Sequence, residues 1–350
     1  MALLEVDELS VSFTTPDGVV EAVRGLSFAV DRGQTLGIVG ESGSGKSVAT
    51  QTVAGLTRGA VVQGEARFQG RDLLTLTADQ LRDVRGAQIG MIFQDPLSSL
   101  HPYYRVGWQI MEMIRAHRRV SRAQARARAV EMLELVGIPQ PERRLRDYPH
   151  QFSGGMRQRA MIAMALALEP TLLIADEPTT ALDVTVQAQI IELMRTLQQE
   201  SGIAIILITH DLGVVAEIAD RVLVMYAGKA MEQAERRTTF YRPHHPYTVG
   251  LLESLPDATT QDEALHPIPG LPPSLINPPP GCPFHPRCAY AMRQCVHEEP
   301  PLRPVERSAG HGSACWLPLD LVGVDEPTAA ARERYASGDR RGQQIEREAS

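Results

Sequence analysis

Apolar positions change their rhythm several times along the chain. Between residues 3 and 39, short apolar stretches at 9–13, 19–23 and 26–30 are separated by turn signals such as Pro16-Asp17-Gly18. That pattern predicts antiparallel strands, and residues 61–75 predict a further strand pair ending at Gly70-Arg71-Asp72. From Val106 to Gly137 the spacing is helical, with Ser121 as an N-cap and Gly137 and Pro139 as stop signals. Beyond Ser153, helices and uninterrupted apolar runs alternate. Residues 156–168 and 184–200 read as helices, the second presenting Ile190, Ile191, Met194 and Leu197 on one face. Residues 35–39, 171–175, 204–208 and 221–225 read as buried strands. Short apolar strands set between helices predict an α/β fold with a parallel sheet covered on both faces.

The pattern breaks down near residue 243. Residues 267–304 carry twelve prolines, which predicts little regular structure, and the polar last thirty residues predict a disordered tail. The expected division is therefore 1–243, 244–320 and 321–350. At 350 residues, 43% hydrophobic and 22% charged, the composition is that of a soluble globular protein. A formal charge of −7 argues against a general nucleic-acid binder, which needs clustered Lys and Arg. No apolar run approaches the roughly 20 residues that span a bilayer, and the N-terminus does not read as a secretory leader.

Candidate chemistry starts at Gly40-Glu41-Ser42-Gly43-Ser44-Gly45-Lys46-Ser47, a complete G-x-x-x-x-G-K-S phosphate loop between a strand and a helix. Its glycines let successive amides face one concavity, Lys46 can reach the β- and γ-phosphates, and Ser47 can offer its hydroxyl to Mg²⁺. The buried strand before Asp176-Glu177 places two carboxylates at the sheet edge. One can complete a Mg²⁺ shell and the other can polarise water. Ser153-Gly154-Gly155 opens a helix and forms a second anion-directed site, which points to action on a neighbour's nucleotide.

Taken in order, Gly40 to Ser47, Gln94, Ser153-Gly154-Gly155, Asp176-Glu177, Ala181-Leu182-Asp183 and His210 resemble the six motifs of an ATP-binding cassette (ABC) domain. The resemblance covers about residues 3–240. It implies a P-loop NTPase fold: a RecA-like parallel core, an antiparallel β subdomain and a helical signature subdomain. It also implies a dimer in which each ATP lies between one subunit's phosphate loop and the other's signature. Carried over by position, Gly40, Ser42, Gly43, Gly45, Lys46, Ser47 and Gln94 bind ATP, with Phe13 stacked on adenine. Ser47, Gln94 and Asp176 hold Mg²⁺, Glu177 is the general base, His210 contacts the γ-phosphate and Asp183 lies in the D-loop. Three departures stand out: Phe13 replaces the commoner Tyr, Phe152 the commoner Leu, and Met156 the commoner Gln.

The stretches from Phe93 to Pro102 and from Arg242 to Thr248 resemble those of peptide and nickel importers, and the Pro/Cys-rich extension resembles that of their D-type subunit. This implies an ATPase at the cytoplasmic face of the membrane. Its partners would be a second ATPase (a paralogue), two permeases and an extracytoplasmic peptide-binding protein, with no nucleic acid. Nickel, opine or glycoside import and a soluble ABC ATPase working on nucleic acid or ribosomes are the alternatives. All four cysteines, Cys282, Cys288, Cys295 and Cys315, fall in the extension, a clustering that suggests a metal over a disulfide framework. All-cysteine ligation suits a [4Fe–4S] cluster or Zn²⁺, with free thiols the third alternative; the resemblance favours the cluster. His285, His297 and His311 are substitute ligands of lower standing.

Overall fold

The computed structural model describes residues 2–180, 182–254, 267–306 and 308–317. The expected tail at 321–350 and the D-loop residue Ala181 lie outside the described residues. The first half of the chain supplies β1 (Leu4–Thr15), β2 (Gly18–Val30), β3 (Thr35–Val39), β4 (Ala60–Phe68), β5 (Arg71–Asp72) and β6 (Ile89–Ile92). The rest supplies β7 (Leu172–Asp176), β8 (Ala204–Ile208), β9 (Arg221–Tyr226), β10 (Lys229–Glu235), β11 (Arg303–Pro304) and β12 (Gly312–Ser313).

These strands form two sheets. An antiparallel sheet has the order β2-β1-β4-β5, and a mixed sheet has the order β11-β12-β10-β9-β3-β8-β7-β6. Within the second, β9-β3-β8-β7-β6 is parallel. Every residue of β3, β7 and β8 is buried, as a sheet covered on both faces requires. Because strand order reverses about β3, the carboxyl ends of β3, β7 and β8 open onto a common crevice where ligands bind in such sheets.

The two strands expected at 19–23 and 26–30 are one, β2. Gly25 takes φ +62° where the β1–β2 register shifts, so a bulge interrupts the alternation without ending the strand. The turn expected around Arg71 falls at Gln69-Gly70, both at positive φ, leaving Arg71–Asp72 as a short strand. Helices Val106–His117 and Arg122–Leu135 form as expected, the second behind a capping box of Ser121 and Gln124. They pack with helix Gly154–Leu166 in a separate apolar cluster that includes Ile110, Leu133 and Met161.

The extension is more ordered than its proline content predicts. It contributes a helix, Pro246–Glu253, and the strands β11 and β12, which continue the main sheet beyond β10. Tyr247, Phe284, Cys282 and Cys295 share an apolar cluster with Tyr226, Val224 and Met231 of β9 and β10. Proline blocks long ladders, but two-residue strands at a sheet edge tolerate it.

Candidate nucleotide site

The phosphate loop leaves β3 at Val39 and enters helix Lys46–Val53. Gly40 has φ +149°, and a Cβ there would stand 2.1 Å from the Met225 carbonyl oxygen. Gly45 has φ +96°, and its Cβ would stand 2.2 Å from the Ala22 carbonyl oxygen. The loop thus threads between β9 and β2 with no room for side chains at either position. At Gly43 a Cβ would meet nothing within 4 Å, so that side of the loop is open. Lys46 Nζ donates to the carbonyls of Gly40 (2.7 Å) and Glu41 (2.9 Å). Burial pushes the Lys46 pKa down, against the pull of Glu177, Asp176 and Glu41.

Asp176 ends β7 beside this loop and accepts a hydrogen bond from Ser47 Oγ at 2.8 Å. It is buried, which raises its pKa, and the nearby Glu177 carboxylate adds to the rise. Ser47 and Asp176 are therefore together as expected for a Mg²⁺ shell. Glu177 follows with φ +47°, its amide donating to the Ile208 carbonyl of β8. Its Oε2 accepts from Gln94 Nε2 at 2.8 Å and Thr180 Oγ1 at 2.9 Å, and His210 Nδ1 lies 3.3 Å from Oε1. Burial works to raise the Glu177 pKa, but donation from Thr180 and His210 outweighs it, and the net direction is down. A glutamate held ionised is ready to accept a proton.

Four separately predicted elements, the phosphate loop, Gln94, Asp176-Glu177 and His210, thus meet at one point. Thr180 was not foreseen. Its only sequence signal is its position three residues after Glu177, the spacing of a local hydroxyl-to-carboxylate bond. Gln158 was also missed: it is buried and donates to the Pro178 carbonyl at 2.6 Å, tying the signature helix to the segment after Glu177.

The signature lies elsewhere on the surface. Ser153 caps helix Gly154–Leu166 by accepting from the Met156 amide, and both Ser153 and Gly154 are exposed. A Cβ on Gly154 would meet nothing within 4 Å, so packing within this chain does not require glycine there. Asp183 caps helix Val184–Ser201, accepting from the Val186 amide at 3.0 Å, and the adjacent Val184 is 84% exposed. Phe13 is half-buried on β1 opposite Val20 and Ala60, packed against the cluster under the antiparallel sheet.

A family model for ABC transporters matches residues 23–180, and one for the C-terminal region of oligopeptide/dipeptide transporters matches residues 231–295. The oligopeptide transport ATP-binding protein OppD of Bacillus subtilis is 54% identical over 332 residues, covering 93% of this chain and 92% of that one. The dipeptide transport ATP-binding protein DppD of the same organism is 52% identical, covering 90% and 94%. The chain belongs to the oligopeptide/dipeptide family of ABC transporter ATP-binding subunits. The solved dimeric cassette MJ0796, described as a post-hydrolysis state bound to ADP and Pi, shares this fold. Its TM-score is 0.62 at 27% identity, covering 67% of this chain and 99% of that one.

In this ABC subunit the four cysteines line one narrow cavity within the extension, where His245 and Pro246 also border it. Gly281 lets the first and third approach. At φ +69° its Cβ would stand 2.3 Å from the Cys295 carbonyl oxygen, which accepts from the Cys282 amide at 2.8 Å. Burial pushes the thiols up, Cys282 to about 12 and Cys315 to about 11. Cys288 rises as well, again chiefly through burial. Opposing this, backbone amides of Phe284, Tyr290 and Leu317 are directed at the sulfurs of Cys282, Cys288 and Cys315. Such amides do little for neutral thiols and much for thiolates, so the donor set fits a bound cationic centre.

Proposed function

We propose that this chain is the ATP-hydrolysing subunit of an ABC importer for di- and oligopeptides. The observation that carries this reading is the Glu177 carboxylate, ionised and held by Gln94, Thr180 and His210 beside the Ser47–Asp176 pair. Lys46 and the loop amides would grip the phosphates, and Ser47, Asp176 and Gln94 would hold Mg²⁺, which neutralises phosphate charge when bound. Glu177 would take the proton of the attacking water while His210 contacts the γ-phosphate. The exposed Ser153-Gly154-Gly155 would face the nucleotide of the second, paralogous ATPase. Closure of that dimer, transmitted through Gln94, would drive two membrane permeases fed by an extracytoplasmic peptide-binding protein. Among the described residues no helix is long and apolar enough to cross a membrane, in keeping with a peripheral place on the cytoplasmic face.

Glu177→Gln tests the chemistry. Turnover should fall at least about a hundredfold, the range for losing a general base, while MgATP affinity is retained. Phosphate release near the unmodified rate would remove Glu177 from that role.

Cys282, Cys288, Cys295 and Cys315 would hold a [4Fe–4S] cluster, which adds one-electron chemistry when bound. Among the described residues no three His, Cys, Asp or Glu side chains are grouped to hold a single metal ion. What supports the reading is that all four cysteines line one cavity of the extension. Anaerobically purified protein should absorb broadly near ~400 nm and lose the band in Cys288→Ser. A colourless protein with stoichiometric zinc would overturn this assignment.

A further inference from the structure

The extension does more than cover the edge of the sheet: it grips the phosphate loop. Arg287, one residue before Cys288, reaches across to Glu41, the second residue of the loop. Its Nη1 donates to Glu41 Oε2 at 2.6 Å and its Nη2 to Glu41 Oε1 at 3.0 Å, a bidentate pair. The remaining donations go to the Tyr226 hydroxyl (3.1 Å) and to the carbonyls of Ile268 (3.3 Å) and Pro269 (2.9 Å). All five guanidinium N–H groups are thereby used, and the Arg287 side chain is only 5% exposed. Glu41 is held a second time from the extension, because its amide donates to the Tyr247 hydroxyl at 2.9 Å. Tyr226, Tyr247 and Phe284 pack with ring centroids 4.6 to 5.4 Å apart, so the clamp stands on a rigid aromatic floor.

A surface ion pair would contribute little. This one is largely removed from water, bidentate, and fixed at both partners. It also acts on the loop whose shape determines phosphate binding: the Glu41 carbonyl, on the same residue, accepts from Lys46 Nζ. Freeing Glu41 would free one of the groups that locate the lysine.

We propose that Arg287 and Tyr247 of the C-terminal extension are positioning residues for the phosphate loop. Through Glu41 they hold it in the shape that accepts MgATP. The proposal rests on the ATPase reading of Lys46 and its loop. It assigns the extension a role in nucleotide affinity that neither cysteine ligation nor contact with a permease supplies.

Titration of the full-length chain with a fluorescent ATP analogue and Mg²⁺ tests it, alongside steady-state hydrolysis by the assembled transporter. Arg287→Gln and Glu41→Gln should each weaken binding about tenfold, as expected for losing one charge-assisted pair. The ATP KM should rise to match, with kcat at saturation nearly unchanged. Arg287→Lys should recover part of the loss, and the Arg287→Gln/Glu41→Gln double variant should bind no more weakly than either single. Glu41→Gln leaves the aromatic floor intact and so reports even where Arg287→Gln fails to fold. Unchanged affinity in Glu41→Gln, or a double variant whose loss equals the product of the singles, would overturn the proposal. Failure of the unmodified chain to bind MgATP would sink the ATPase reading itself, and this proposal with it.

Discussion

Asp176 shows what burial at the end of a strand does to a carboxylate. Buried at the end of β7 with Glu177 beside it, its carboxyl titrates above the ordinary aspartate range. A carboxylate whose folded pKa is raised is penalised when ionised. Its contribution to stability is fully present below the unfolded pKa of about 3.9 and is lost as pH rises through the folded value. Asp176→Asn keeps an acceptor for Ser47 Oγ and removes the charge. The nucleotide-free variant should therefore melt higher than the unmodified protein at neutral pH, with the gain vanishing as pH falls towards 4. The same change should abolish Mg²⁺-dependent tightening of ATP binding. A variant that melts lower at neutral pH would show that Asp176 is not under this penalty. The sequence placed Asp176 and Glu177 correctly because a buried strand ending in two carboxylates is a local pattern. It did not reveal Thr180 or the net lowering of the Glu177 pKa, which depend on how the chain turns at φ +47° after β7.

At the scale of elements, the helix cap that Asp183 provides can be separated from the dimer role proposed for it. It caps the 18-residue helix Val184–Ser201, and it lies beside the strongly exposed Val184 where a partner subunit would sit. Asp183→Ala should cost about 1 kcal/mol in denaturant unfolding, the usual value of an N-cap, whereas Asp183→Asn should cost little. If the residue also serves the dimer, Asp183→Asn will retain stability and still slow hydrolysis by the assembled transporter. Helix starts at Ser121 and Ser153 were legible, and each caps the helix that follows, whereas Asp183 was read only as a D-loop residue and its cap was not foreseen. Strand continuity was less legible, since Gly25 looks like a terminator and is a bulge within β2. β10 was missed because its Glu232 breaks the apolar alternation. That glutamate is fully buried, with His311 and the amides of His244 and His245 donating to it.

For the molecule as a whole, the extension and the cassette share structure. Strand β12 pairs with β10, Leu275 accepts from the Glu21 amide of β2, and Glu299 binds Arg24 at 2.9 Å. Ending the chain after residue 243 would bare Tyr226, Val224 and Met231 and remove Tyr247 and Phe284, each worth roughly 1.5–3 kcal/mol of burial. The truncated protein should aggregate or melt at least ~10 °C lower by calorimetry. A melting temperature within a few degrees of the full chain would show that the cassette is self-sufficient. By itself the sequence determined where the candidate chemistry lies. The phosphate loop, the strand-end carboxylates, the signature and the four cysteines are contiguous or ordered patterns, so each candidate site was legible in its own residue types. Tertiary structure alone decided which groups answer one another: Gln94, Thr180 and His210 around Glu177, and Arg287 on Glu41 from 246 positions away. No periodicity links such distant positions. Only the packing of the extension against β9 and β10 brings the arginine to the phosphate loop.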